Sequence, residues 1–153
     1  MNVLVLQIDG LYDFGDTPIS KAAGNTFGNL NTVEETRAAC TNMKIPAGLR
    51  WSLSHGLWSF KVQTRGEFVE KAKKFTLRGL EDKIECPVFI GNPTHDMMFG
   101  GQPEKMKEVL GNKATLVTFT EEDAAESHCH IGAQRFVNAV MWEWFEENVV
   151  NKK

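Results

Sequence analysis

No run of about 18 consecutive apolar residues occurs in this chain, so no segment is long enough to cross a bilayer as a helix. The apolar stretch from Met1 to Ile8 lacks both the basic region and the small-residue cleavage site of a secretory signal, and a cytoplasmic protein without membrane contact is expected. An excess of positive charge is missing too: 17 Lys and Arg stand against 20 Asp and Glu, a formal net charge of -3. A nucleic-acid binder needs the opposite balance, so no nucleic-acid partner is expected. The densest basic run, Lys71, Lys73 and Lys74, reads as a solvated helix face. Cysteine is scarce. Cys40, Cys86 and Cys129 are odd in number and far apart, which argues against a disulfide framework and against a structural zinc site built on close Cys or His pairs. His128, Cys129 and His130 are adjacent, but neighbouring side chains on one element diverge and no second ligand pair is visible. No metal and no cofactor are therefore expected. Internal repeats and low-complexity segments are also lacking.

What is present is an ordinary globular composition, 42% apolar and 24% charged, on 153 residues, enough for one domain or one part of a larger one. Val3-Leu4-Val5-Leu6-Gln7-Ile8 is rich in aliphatic and β-branched residues and stops at Asp9-Gly10, which predicts a buried strand ending in a turn. Leu11 to Asn31, rich in Gly, Asn, Asp and Pro, reads as loop. Asn31 or Thr32 is placed to cap a helix with Glu34 and Glu35 in its first turn, ending before Pro46. Trp51 to Phe60 fits a short helix only loosely. Thr64-Arg65-Gly66-Glu67 is a capping box, followed by Phe68, Val69, Ala72 and Phe75 at helical spacing. Residues 31–80 thus form a helical insertion between strands. Cys86 to Gly91 predicts the next strand, with Pro87 at its start. Pro103 to Leu110 predicts a helix closed by Gly111-Asn112, and Ala114 to Thr120 a third strand. From about Ile131 to Val149 a last helix is expected, with Phe136, Val137, Val140, Met141, Trp144 and Phe145 recurring at three and four. Strands separated by helices imply crossovers and a parallel sheet, an α/β fold of three parallel strands with flanking helices.

Open parallel sheets carry their functional groups beyond the carboxyl ends of the strands. Asp96 follows the second strand in Asn92-Pro93-Thr94-His95-Asp96, and His128 follows the third. An acid after one strand and a histidine after the next form the acid–base part of a triad, in which the carboxylate fixes the imidazole tautomer. Taken singly, Asp96 also reads as a turn or helix cap and His128 as a polar residue at a helix start. Asp9 and Asp13, after the first strand, are rival acids, and His130 is a second candidate histidine.

Asp9-Gly10-Leu11-Tyr12-Asp13-Phe14, Ile84-Glu85-Cys86-Pro87-Val88-Phe89-Ile90, Asp96, Gly101-Gln102-Pro103 and the segment Phe119 to Ala133 resemble the second half of certain α/β-hydrolases. These are fungal and bacterial hydrolases related to 2,6-dihydropseudooxynicotine hydrolase and to the polyketide-shortening hydrolases of fungal pigment synthesis. The segment around His128-Cys129-His130-Ile131-Gly132, followed by a final helix with Trp142 and Trp144, is the most specific part. The resemblance implies that Asp96 is the triad acid and His128 the triad base. It also implies that the insertion 31–80 belongs to a cap over the pocket, and that the substrate is a small molecule cleaved at an ester or carbon–carbon bond. The aromatics Trp51, Trp58, Phe60, Phe68 and Phe75 are candidates for an apolar pocket lining or for plain core packing. A lining of that kind would select an apolar, aromatic or polyketide-like compound.

The family also needs a serine on a sharp strand-to-helix turn, G-x-S-x-G, ahead of the acid and histidine. No serine here has glycines two before and two after it. His95 stands where relatives often carry an acid. By the resemblance the chain begins at the sixth strand of the sheet, so the strands with the nucleophile and the oxyanion donors are expected to lie outside these residues. Two functions follow as expectations: a serine hydrolase represented by a fragment, or a degenerate, non-catalytic remnant that binds a partner or small molecule. Cys129 would be the replacement nucleophile only with a depressed pKa, for which the sequence offers no cause. A bare edge on the first strand predicts self-association or pairing with the missing half.

Overall fold

The computed structural model describes residues 4–151. Val3, at the start of the expected first strand, lies outside the described residues. The chain divides into two compact units, one from the residues up to Tyr12 together with those from Leu77 onward, the other Asp13–Thr76.

The first unit is an open parallel sheet of β1 (Val5–Gln7), β2 (Val88–Pro93) and β3 (Ala114–Phe119) in that order. Val5, Leu6 and Gln7 lie opposite Val88, Phe89 and Ile90, and β2 runs in register with β3 from Val88–Ala114 to Pro93–Phe119. All six residues of β2 are buried, as expected of a central parallel strand covered on both faces. Because side chains alternate along a strand, Val88 and Ile90 pack with Met106 and Leu110 of α5 (Gln102–Leu110). Phe89 points the other way, into a cluster with Val137 and Trp144 of α6 (Gln134–Phe145). Its ring meets Trp144 edge to face at 5.6 Å. Each fully buried side chain of this size contributes about 1.5–3 kcal/mol. The expected strands and α5 are therefore present, within a residue or two at their ends.

The last helix differs from expectation at its start. It begins at Gln134 rather than near Ile131, because Cys129, His130 and Gly132 take φ of 55°, 51° and 111°, and a right-handed helix cannot run through them. Beyond Phe145 the helix continues as a π turn, Glu146–Val150. Among the described residues β1 pairs only with β2, and Leu6 and Ile8 beside that bare edge are 43% and 46% exposed.

The second unit is helical: α1 (Pro18–Phe27), α2 (Val33–Thr41), α3 (Ala47–Phe60) and α4 (Arg65–Ala72). Its core gathers Phe27, Ala39 and Leu53 with Leu30, Leu49 and Leu57. Two expected caps are built. Thr32 accepts from Glu35 N–H while Glu35 accepts from Thr32 N–H, and Thr64 and Glu67 repeat the exchange. Each such threonine contributes about 1 kcal/mol to its helix. Bonds from the Gln63 and Thr64 N–H groups hold the Glu67 carboxyl below its usual pKa, so this end of α4 is held at neutral pH and loosens as acid protonates it.

One expectation is corrected here. The stretch 11–31 is not loop throughout, for it contains α1, started by the Thr17 side chain accepting from Ser20 N–H and by Pro18 in the first turn. The aromatics of the insertion fall into two groups. Trp51 and Trp58 are 60% and 77% exposed and flank His55 on the surface of α3, with ring separations of 4.8 and 5.7 Å. Phe60 instead packs edge to face with Phe68 and Phe75. Among the described residues no helix is long and apolar enough to cross a membrane.

Candidate active site

β1 ends opposite Ile90 and β2 runs on to Pro93, and the chain beyond each carries an acid. After β1 comes Asp9, then Gly10 with φ of +52°, where an added Cβ would lie 2.5 Å from Ile90 Cγ2 and 2.8 Å from Pro103 Cα. Only glycine fits that turn, and it leaves the Asp9 carboxylate buried beside the end of β2. After β2 comes Asp96, whose side chain is fully buried. Asp96 Oδ1 accepts from the N–H groups of Met98 (2.7 Å) and Phe99 (3.1 Å). That is the turn-forming role open to any aspartate there. Its second oxygen is left for another partner.

The partner is His128. The loop after β3 is braced by Thr120 and Asp123, which exchange side-chain and backbone hydrogen bonds, and it delivers residues 128–130 as a tight turn. His128 Nδ1 lies 3.0 Å from Asp96 Oδ2 in hydrogen-bond geometry. Phe99 stands edge to face against the imidazole at 4.9 Å. The sequence-predicted acid and histidine are thus brought together, at the carboxyl ends of adjacent strands. With Nδ1 donating to Asp96, Nε2 is left as the basic nitrogen, which is the orientation that general-base work requires.

Asp9 joins them. Its Oδ2 is 3.1 Å from the same His128 Nδ1, and both its oxygens accept from Cys129 N–H at 3.1 Å. One imidazole nitrogen therefore faces two buried carboxylates. Sequence reasoning set Asp9 against Asp96 as alternatives and missed that both would reach the ring. The available signal was the shared sheet edge, since loops beyond the carboxyl ends of parallel strands gather on one side. Asp13, the other rival, instead accepts from Thr76 Oγ1 inside the helical unit.

His130 serves differently. It is buried, with Nδ1 2.7 Å from the Ala125 carbonyl and Nε2 2.9 Å from the Ile8 carbonyl, and so ties the loop after β3 to the end of β1. Gly91 makes room for that contact. His95 is exposed and lies 3.3 Å from Glu121. Cys129 takes φ of 55° and ψ of 19°, a left-handed conformation costing a non-glycine residue roughly 1–2 kcal/mol, and His130 follows it at φ 51°. The two together turn the Cys129 N–H and thiol onto Asp9, with Sγ to Oδ2 at 3.3 Å.

Burial, the Asp9 hydrogen bond, and the negative charges of Asp9 and Asp96 push the Cys129 thiol up to about 11 from 9.0. A thiol so held is a poor nucleophile, contrary to what a cysteine replacing the serine would need. Because the folded-state value is raised, the protonated thiol favours the fold at neutral pH, and that contribution is lost as pH climbs from 9.0 toward about 11. Iodoacetamide alkylation of Cys129, followed by peptide mass, is expected to reach its half-maximal rate near pH 11. A midpoint near 9.0 would show an unperturbed thiol, and one well below it an activated thiol.

Four serines have their hydroxyls engaged within the helical unit. Ser52, Ser54 and Ser59 donate to carbonyls one turn back in α3, those of Gly48, Arg50 and His55, and Ser20 donates to the Phe14 carbonyl. The fold and the site together define an open parallel α/β sheet with an acid–imidazole pair beyond its strand ends. Set against known proteins, the chain matches no family model, no curated protein and no solved structure.

Proposed function

We propose that these residues are the acid–histidine part of an α/β-hydrolase that cleaves an ester or carbon–carbon bond in a small apolar molecule, with the nucleophile supplied from outside the 153 residues. The observation that carries the reading is the 3.0 Å hydrogen bond from His128 Nδ1 to the buried Asp96, which leaves Nε2 to take a proton. In that role His128 deprotonates a serine hydroxyl and later protonates the leaving group, while Asp96 stabilises the imidazolium between the two steps. The polyketide-like substrate class rests on the family resemblance alone. The helical unit is assigned as the cap on the same ground.

A second reading has its own observation. The serine hydroxyls of α3 are spent on helix carbonyls and Cys129 is held as a thiol, so none of these four groups is activated for attack. A remnant that binds a partner without catalysis fits those facts.

Fluorophosphonate labelling separates the two. The 153-residue chain is expected to remain unlabelled, since such probes report an activated serine. A polypeptide extended through the preceding reading frame to a G-x-S-x-G turn is expected to be labelled at that serine. Labelling of the short chain would place the nucleophile within it. An open frame without G-x-S-x-G would favour the binding remnant.

A further inference from the structure

A triad needs one carboxylate on its histidine, yet His128 Nδ1 faces two, Asp96 at 3.0 Å and Asp9 at 3.1 Å, and a single N–H cannot satisfy both. Two buried carboxylates on one nitrogen repel each other in low dielectric unless a positive charge stands between them. The Cys129 thiol completes the group. Donor atoms of Asp9, His128 and Cys129 all lie within 4.8 Å of one another. Their separations are informative. Ligands at ordinary zinc distances sit about 3.3 Å apart along an N–O edge of a tetrahedron and about 3.5 Å along an S–O edge. Here Nδ1 to Asp9 Oδ2 is 3.1 Å and Sγ to the same oxygen is 3.3 Å. The left-handed backbone at Cys129 is what allows adjacent residues to converge in this way, which side chains one apart ordinarily do not.

The geometry points to a site for a borderline divalent cation of the zinc type, held by the Asp9 carboxylate, His128 Nδ1 and the Cys129 sulfur, with the fourth position open to solvent. Mixed oxygen, nitrogen and sulfur donors suit such an ion better than magnesium or calcium, which take oxygen alone. Asp96 then adds negative charge beside the ion. The Asp9 and Asp96 carboxylates, both on the His128 nitrogen, attract the cation. On binding, the metal–sulfur bond forms as the S–H bond breaks and its proton passes to solvent, and the metal–nitrogen bond forms as Nδ1 gives up its proton to solvent while Nε2 takes one up, with no net change at the ring. No oxidation state changes. Binding takes Nδ1 from Asp96, so the ion would switch off the acid–base pair. The site does not depend on the hydrolase reading.

The test is titration of the 153-residue chain with Co²⁺. One ion per chain is expected, with a thiolate-to-metal charge-transfer band in the near ultraviolet, strong visible bands of a four-coordinate centre, and release of about one proton per ion. Zn²⁺ should displace the Co²⁺ and remove the bands. Cys129→Ser should abolish the charge-transfer band, whereas the double variant Cys40→Ser, Cys86→Ser should keep it. Asp9→Asn should weaken affinity about tenfold or more, and Asp96→Asn by less. No band in the wild-type chain overturns the proposal, as does a band that survives Cys129→Ser. If Cys129→Ser does not fold, the double variant decides, because Cys129 is then the sole thiol: a retained band supports the site and a lost band refutes it. None of these readings requires a nucleophile, so the metal site and the hydrolase reading can fail separately.

Discussion

Replacing His128 with Ala, in a polypeptide that joins these residues to a G-x-S-x-G segment, is expected to lower kcat for an activated aryl ester by on the order of 10⁶, with little change in KM. The size follows from cooperation within the triad: without the imidazole the serine keeps its proton, and neither nucleophile nor acid can compensate. Asp96→Asn is expected to cost about 10⁴, because the amide holds the ring in the wrong tautomer and leaves the imidazolium without its counter-charge. Asp9→Asn should cost less than Asp96→Asn. Asp9 lies 3.1 Å from the same nitrogen, but its oxygens are also committed to the Cys129 N–H. Steady-state kinetics of the three variants decide the matter. A larger loss for Asp9→Asn than for Asp96→Asn would reverse the two acids, and unchanged turnover in His128→Ala would remove the histidine from the mechanism.

Gly91→Ala is expected to destabilise the sheet by about 3 kcal/mol or more. A Cβ at this position would lie 2.2 Å from the Ile8 carbonyl oxygen and 2.8 Å from His130 Nε2. The first of these is backbone and cannot rotate away, so β1 must move off β2. The displacement would break the Ile8–His130 hydrogen bond and carry Asp9 away from His128, coupling stability to the site. A loss of that size is a large fraction of the 5–15 kcal/mol typical of a domain. Denaturant unfolding should show a lower midpoint with an unchanged slope. A midpoint shift worth less than about 1 kcal/mol would mean that β1 is not packed against Gly91 as described.

Much of this was legible in the sequence. β2 announces itself through the apolar Val88-Phe89-Ile90, as buried parallel strands do, and the two capping boxes follow from Thr and Glu three apart. Asp96 and His128 were legible because strand ends in parallel sheets converge on one edge. What escaped detection was tertiary or conformational. α1 hides among glycine and asparagine, with Gly24 in its interior, and only Thr17-Pro18 marks its start. The delayed start of α6 depends on left-handed Cys129 and His130, a conformation that neither residue type signals. For the same reason the choice between His128 and His130 could not be made from spacing: the chain reverses between them, sending one ring to Asp96 and burying the other under β1. Exposure of Trp51 and Trp58 ran against the rule that large aromatics are buried, and helical spacing alone could not reveal which face α3 presents.

The central claim is that Asp96 holds His128 with Nδ1 protonated and Nε2 free. Nitrogen-15 NMR of the imidazole in the 153-residue chain, free of metal, tests it directly. The account predicts the Nδ1–H tautomer, with a downfield Nδ1 proton that Asp96→Asn abolishes or moves strongly and Asp9→Asn moves only weakly. An Nε2–H tautomer, or an Nδ1 proton that follows Asp9 and ignores Asp96, would contradict it.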